Sequence, residues 1–420
     1  MNMGRDSVDR RRFLKGIGYL GIASIPLLVG MKHIDIVAAA DLIPTRRPSY
    51  VLYIDGGMVV AQNSATGTID FSGTDAALVI NQACKSNSKV LIKAGTYNLG
   101  TTHVDIGNSN VELYGEGPTA TVLRLAPNTN SNALHFYHVS NINVHDLQID
   151  GNRMNQSQNP GSPAINAYGI TASSVTGLTI ANCYVHDCRD FGINVPDSSN
   201  VRILNNLVQN CDANGISVSN ERGGSGAVIQ GNTVDGASDV GISTWYANDC
   251  LAVNNTVRNI TMSRSPWSEQ SHIGMMVEHG SNKVTYRNNS IENCGSGLSA
   301  SGGTNTTFDG NNIKNCLRGL YSNNANDLTV TNCTFDTIAA APTPDNMFGA
   351  LRFDSQLVTA TISGCEFRNI GQYMKGGAVI QLLSPQGKLT GNIVHTYNGK
   401  YRAFDTPQTG WTVQNNTILP

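Results

Sequence analysis

Apolar and polar residues alternate with a period of two along most of this chain, and no helical period appears after about residue 90. The stretch "RILNNLVQNCDANGISV" (202–218) is representative: aliphatics alternate with polar residues, and asparagine breaks the pattern at fixed places. Close variants recur to the end. Aligning them on N-x-[VIF] gives one column: Cys183, Asn206, Asn232, Asn255, Asn289, Asn311, Cys333, Cys365, Asn392 and Asn416. The successive spacings are 23, 26, 23, 34, 22, 22, 32, 27 and 24 residues. A period of about 23 residues is one coil of a parallel β-solenoid, built of short strands and tight turns.

Coils in such a solenoid stack about 4.8 Å apart. An asparagine at the same turn of each coil can hydrogen-bond its neighbours above and below, and asparagine also tolerates left-handed backbone. A second column lies five residues on, at Cys188, Cys211, Ala237, Ile260, Cys294, Cys316, Ile338, Ile370 and Tyr397. Cysteine alternates there with aliphatics, as a small core hydrophobe does. Like-placed side chains on stacked coils sit near 4.8 Å, wider than the roughly 3.8 Å between the Cβ atoms of a disulfide, so free buried thiols are expected. A third register follows glycines in "FGINVP" (191–196), "NGISVS" (214–219), "VGISTW" (240–245) and "IGMMVE" (273–278). Each predicts a strand whose first residue after Gly points inward, with the second and fourth outward.

The N-terminal end reads differently. "GTDAALVINQACKSNSKVLIKAGTYNL" (73–99) predicts a short amphipathic helix capped by Thr74 or Asp75, placed to cover the first coil's open edge. Residues 41–67 read as lead-in strands and 68–420 as the solenoid. Residues 1–40 read as a twin-arginine signal peptide: Arg10 and Arg11 precede Phe13, Leu14 and Lys15, a glycine-rich apolar stretch follows, and "AAAD" (38–41) offers a cleavage site. The mature protein is thus expected outside the cytoplasm, with no membrane attachment. "WTVQNNTILP" (411–420) shows no comparable cap, which makes that end the expected place for pairing into a homo-oligomer.

Composition removes several functions. Charged residues make up 14% of the chain, against about 25% in an average soluble domain, and the net charge is −2. No basic face for nucleic acid is indicated. No phosphate-binding loop, dinucleotide fingerprint or nucleophile elbow occurs, and no CxxC pair suggests zinc.

The phrases "AGTYNL" (94–99), "LYGEG" (113–117) and "VHDLQIDGNRMNQSQ" (144–158), with the coils after them, resemble the right-handed parallel β-helix superfamily of pectate lyases. The branch they look like is the catalytic module of mannuronan C5-epimerases. The resemblance covers residues 68–420 and implies an all-β, single-stranded right-handed parallel β-helix. It also implies an acidic polysaccharide along one outer sheet, often with calcium. That family's active-site phrase is Tyr-Gly-Phe-Asp-Pro-His; here the matching residues are Phe191, Gly192, Ile193, Asn194, Val195 and Pro196. These cannot abstract a proton from a sugar carbon, so the epimerase mechanism does not transfer.

Three coils carry insertions at one turn, 152–167, 261–272 and 339–348, which are expected to wall a cleft. Two residues before the strand glycines runs the column Asp190, Ala213, Asp239, His272, Gly295; four after runs Pro196, Ser219, Trp245, Glu278, Ser301. Asp190, Asp239 and His272 are the candidate acids and bases, with the two aspartates two coils or roughly 9–10 Å apart. Trp245 and Tyr246 offer flat faces to a sugar. Arg189, Arg264 and Arg318 can neutralise a uronate, and Asn194, Glu278 and Tyr321 complete the candidate substrate-binding set. No cofactor is expected, and no spaced acidic motif marks a calcium site. Two functions stay open: a lyase, epimerase or hydrolase on an extracellular polysaccharide, or a non-catalytic surface protein that binds glycan or assembles.

Overall fold

The computed structural model describes residues 47–100, 103–156, 167–260, 272–339, 350–354, 359–371, 377–406 and 409–420. Residues 1–40, read as a signal peptide, and most of each expected insertion, Arg264 included, lie outside these residues. Within them the chain winds as a parallel β-helix with three sheets. One coil runs Ser199–Leu204 in sheet A, Leu207–Gln209 in sheet B and Ile216–Ser219 in sheet C. Sheets A, B and C hold 16, 13 and 12 of the described strands. Every coil-to-coil pairing is parallel and in register, as in Leu178↔Val201 and Ile216↔Ile242.

The N-terminal residues extend sheet A in antiparallel fashion. Strand β1 (Tyr50–Asp55) pairs with β2 (Met58–Asn63), and β2 pairs with β3 (Ile69–Gly73). These lead-in strands therefore run six residues past position 67, where the solenoid was expected to begin. Helix α1 (Ala76–Ala83) follows, and Asp75 is its cap: one side-chain oxygen accepts from both Ala77 N and Gly100 N at 2.9 Å. Ala76, Ala77, Val79, Ile80 and Ala83 turn into the common core.

The asparagine column occupies the turn from sheet A to sheet B. Asn206 donates from its backbone N and from Nδ2 to Asn232 Oδ1, both at 2.9 Å, and Nδ2 also donates to Ile180 O at 3.0 Å. The arrangement repeats from Asn232 to Asn255, Asn255 to Asn289 and Asn289 to Asn311. The left-handed residue is not the column asparagine but the one before it: Asn205, Gly231, Asn254, Asn288 and Gly310 have φ of 53°, 67°, 55°, 52° and 65°. One residue makes the bend, and the next turns its amide inward to satisfy the strands it joins.

All nine cysteines are buried free thiols. Tyr397 leaves the core pattern of its column, being 38% exposed. The strand glycines mark a close approach of stacked backbones. A Cβ on Gly192 would lie 2.7 Å from Gly215 O and 2.5 Å from Val208 Cγ1, where no side chain fits.

Asn255→Ala removes the acceptor for two donors of Asn232 and the donor to Ile229 O. Leaving buried backbone groups unpaired should cost about 2–4 kcal/mol. Chemical denaturation of parent and variant measures it; a loss below about 0.5 kcal/mol would show that the amide stack does not hold the coils.

Candidate functional site

The candidate residues stand on the outer side of sheet C, whose strands alternate strictly. Ile216, Ile242 and Met275 are fully buried inward, while Ser217, Ser243, Met276, Ser299 and Tyr321 form an outward row in register. The row is narrow and polar. Asn214 Nδ2 donates to Ser243 Oγ at 3.0 Å, and Ser243 Oγ bonds Ser217 Oγ at 3.1 Å. Beneath it, the Tyr286 hydroxyl donates to Met276 O at 2.6 Å and bonds Thr244 Oγ1 at 2.9 Å, bracing strands Val240–Trp245 and Ile273–Val277 from inside.

Those two adjacent coils bring together Asp239, Trp245, Tyr246, His272 and Glu278. Trp245 is 43% exposed, and its ring stacks obliquely with Tyr246 at 6.0 Å and 28°. Tyr246 lies over Gly280 of the next coil, where a Cβ would strike its ring. Glu278 is anchored by its backbone N to Thr244 O at 2.8 Å. Burial, with the charge of Asp239 adding to it, pushes the Glu278 carboxyl up to about 7. A carboxylic acid that holds its proton near neutrality is equipped for general-acid chemistry.

His272 is positioned differently from what its column suggested. It is 3% exposed, its Nδ1 lies 2.9 Å from Ser238 O, and its Nε2 is shut off from solvent. Burial lowers its pKa, and its backbone N donates to Asp239 O at 2.9 Å. It thus sits under Asp239 rather than in the open groove.

Asp190 lies two coils before Asp239, beside Tyr168 and Phe191, whose rings stack at 5.2 Å. Burial and then the charge of Asp212 push the Asp190 carboxyl up to about 6, against a hydrogen bond from the Phe191 backbone. Burial and the Asp190 charge push Tyr168 up to about 12. Arg189 is committed to the fold: its Nη1 donates to Asp212 Oδ2 at 2.8 Å, and Arg153 Nη1 donates to Asp212 Oδ1 at 2.8 Å. The Asp212 side chain has no exposure, so two guanidinium groups compensate one buried carboxylate. Asn194 faces outward but is 8% exposed. Tyr321 donates to Asp354 Oδ2 at 2.7 Å and, with Arg318 on the same strand, lies two coils beyond Glu278.

Asp212 and Arg153 went unremarked in the sequence, although Asp212 stands in the opening phrase; an acid among apolar residues was the available signal. The two groups of three or more His, Cys, Asp or Glu donors both include imidazole: His103, Asp105, His135 and Asp150, His186, Asp187.

Comparison with known proteins follows the geometry. The family described as right handed beta helix region matches residues 56–259 and 257–418. The mannuronan C-5 epimerase AlgE4 A-module of Azotobacter vinelandii has a similar structure, with a TM-score of 0.62, 15% identity, and coverage of 81% of this chain and 96% of that chain. The DFA-IIIase of Arthrobacter chlorophenolicus A6, without its lid, gives 0.56 at 14% identity, covering 80% and 96%. The N-terminal fragment of bacteriophage Phi29 gene product 12 gives 0.54 at 12%, covering 82% and 64%. At these identities the likeness is one of fold. No curated protein sequence matches the chain significantly.

Because burial favours its protonated form, the stability contributed by Glu278 is present below the ordinary carboxylate value of 4.5 and is lost as pH rises through about 7. Glu278→Gln should therefore match the parent near pH 4 and exceed it near pH 8.5, by on the order of 2 kcal/mol. Denaturation curves at both pH values test this. A variant less stable than the parent at high pH would mean that the charged carboxylate has a partner.

Proposed function

We propose that this chain, which belongs to the right-handed β-helix family, hydrolyses a glycosidic bond of an extracellular polysaccharide laid along the outer face of sheet C. One observation carries the reading: Glu278 is held near pKa 7 by burial and by Asp239, one coil from an exposed tryptophan. Glu278 gives its proton to the leaving-group oxygen as the C–O bond breaks, and Asp239 acts as general base, taking a proton from the water that adds to the anomeric carbon. Trp245 takes a sugar ring on its face. A polysaccharide substrate agrees with the name of the epimerase module that shares the fold. Residues 1–40 bring the protein to such a substrate as a twin-arginine leader.

A second reading has its own support. Phe191, Asn194 and Pro196 stand where the epimerase phrase has proton-carrying groups, which suits a surface protein that binds glycan without turning it over.

A panel of neutral and uronate polysaccharides, read by reducing ends and by unsaturated-uronide absorbance, separates these outcomes. Asp239→Asn and Glu278→Gln should each lower turnover by about 10²–10⁴-fold with binding retained, and the parent rate should fall as pH rises through about 7. Trp245→Ala should weaken binding roughly tenfold, about 1.4 kcal/mol. Full rate in the Asp239, Glu278 double variant would move the chemistry elsewhere; uronide absorbance would replace hydrolysis by elimination; binding without turnover would establish the surface-protein reading. Replacing Arg10 and Arg11 by Lys should leave precursor in the cytoplasm, as immunoblotting of cell fractions would show; unchanged export would remove the leader assignment.

A further inference from the structure

At the other end of sheet C, strand Val104–Ile106 opens the sheet. Val104 and Ile106 are buried, so the pleat turns His103 and Asp105 to the outer side. Strand Leu134–Tyr137 stacks on it with His135 directly opposite Asp105. Period two and parallel register thus converge three donor side chains on one spot. Each offers a ligand atom, and the three atoms lie within 4.8 Å of one another. His135 Nδ1 is 3.1 Å from Asp105 Oδ1, and the two imidazole rings meet edge to face at 5.5 Å.

The surroundings fix these donors. Ser131 Oγ lies 3.0 Å from His103 Nδ1; with that nitrogen as donor, Nε2 keeps its lone pair. On α1, Asn81 donates from Nδ2 to His103 O at 3.2 Å and accepts from Asp105 N at 2.8 Å, so one side chain pins the strand on both sides of Val104. Two donors on one tetrahedral ion with bonds of about 2.1 Å stand roughly 3–3.5 Å apart, which the His135–Asp105 pair already matches.

The other three-donor group shows what a committed cluster looks like. Asp150 is paired with Arg124, Asp187 with Arg153, and His186 bonds Asp187 through Nδ1 and Gln148 through Nε2. Its charges and lone pairs are taken. At His103, Asp105 and His135, no arginine or lysine among the described residues pairs with the carboxylate, and two imidazoles outnumber it. Two nitrogens and one oxygen suit zinc and its late first-row neighbours, not calcium or magnesium.

We propose that His103, Asp105 and His135 bind a divalent late first-row cation such as zinc, stapling the first two strands of sheet C and leaving one coordination position to water.

The test uses the purified full chain, without an affinity tag and stripped by chelator. Calorimetric titration with zinc chloride should show one saturable equivalent and a raised thermal midpoint, while calcium chloride changes neither. His103→Ala and His135→Ala should each weaken zinc binding at least hundredfold, Ser131→Ala about ten- to hundredfold, and His138→Ala not at all. Cobalt added to the unmutated chain should give saturable visible absorption that zinc displaces, which tests the site without reliance on variant folding. Zinc affinity unchanged in the His103, His135 double variant, or no saturable cobalt spectrum, overturns the assignment.

Discussion

Everything on the outer faces depends on successive coils keeping one register, and buried amides hold it. In a strand a slip of one residue exchanges the buried and exposed sets. A side-chain amide that both donates and accepts along the stacking direction penalises such a slip at each turn. Asn255 shows the full pattern: its oxygen takes two bonds from Asn232, while its nitrogen bonds Asn289 Oδ1 and Ile229 O. An aliphatic residue there would leave backbone donors buried and unpaired, a cost of about 1–3 kcal/mol for each. Where Cys333 follows Asn311, the sulfur replaces the amide oxygen at 3.8 Å, a weaker acceptor in the same role.

With register fixed, the problem of burying charge takes two forms in this molecule. Asp212 is fully enclosed, and Arg153 and Arg189 grip one oxygen each. Glu278 has Asp239 as its charged neighbour, and its carboxyl favours the proton instead, near pH 7. The first solution makes a rigid strut; the second makes a group able to transfer a proton. The two therefore differ in what they can do: Asp212 is gripped by two guanidinium groups, whereas burial, with Asp239 adding to it, raises Glu278.

Much of this architecture was legible from the sequence. Period-two alternation, the asparagine column and the glycine strands gave stacked coils of about 23 residues, and the phrase "GTDAALVINQA" marked Thr74 or Asp75 as the cap of α1. What sequence could not show depends on distance through space. Arg153 and Asp212 are separated by 59 positions, so no local pattern links them, and Arg189 looked free for substrate until Asp212 was placed. Glu278 was readable as a groove residue, but its raised pKa is a product of burial. The left-handed turn was misplaced by one residue because Asn205 and Asn206 are the same amino acid with different tasks. The column position of Tyr397 suggested core, and only the folded turn shows it facing water.

A solenoid also loosens the tie between a site and one particular coil. Each coil presents the same outward positions about 4.8 Å from the last, so side chains at equivalent positions meet equivalent backbone. At the coil of residues 191–196, Phe191 stacks on Tyr168, and Asn194 is nearly buried, which makes that segment packing rather than proton transfer. Two and three coils further along, the same outward positions hold Trp245 and Glu278, with Asp239 at the strand entrance. On the same sheet, His103, Asp105 and His135 use the identical pleat for a different purpose. The fold supplies positions, and each coil's side chains decide whether a position packs, binds or transfers a proton.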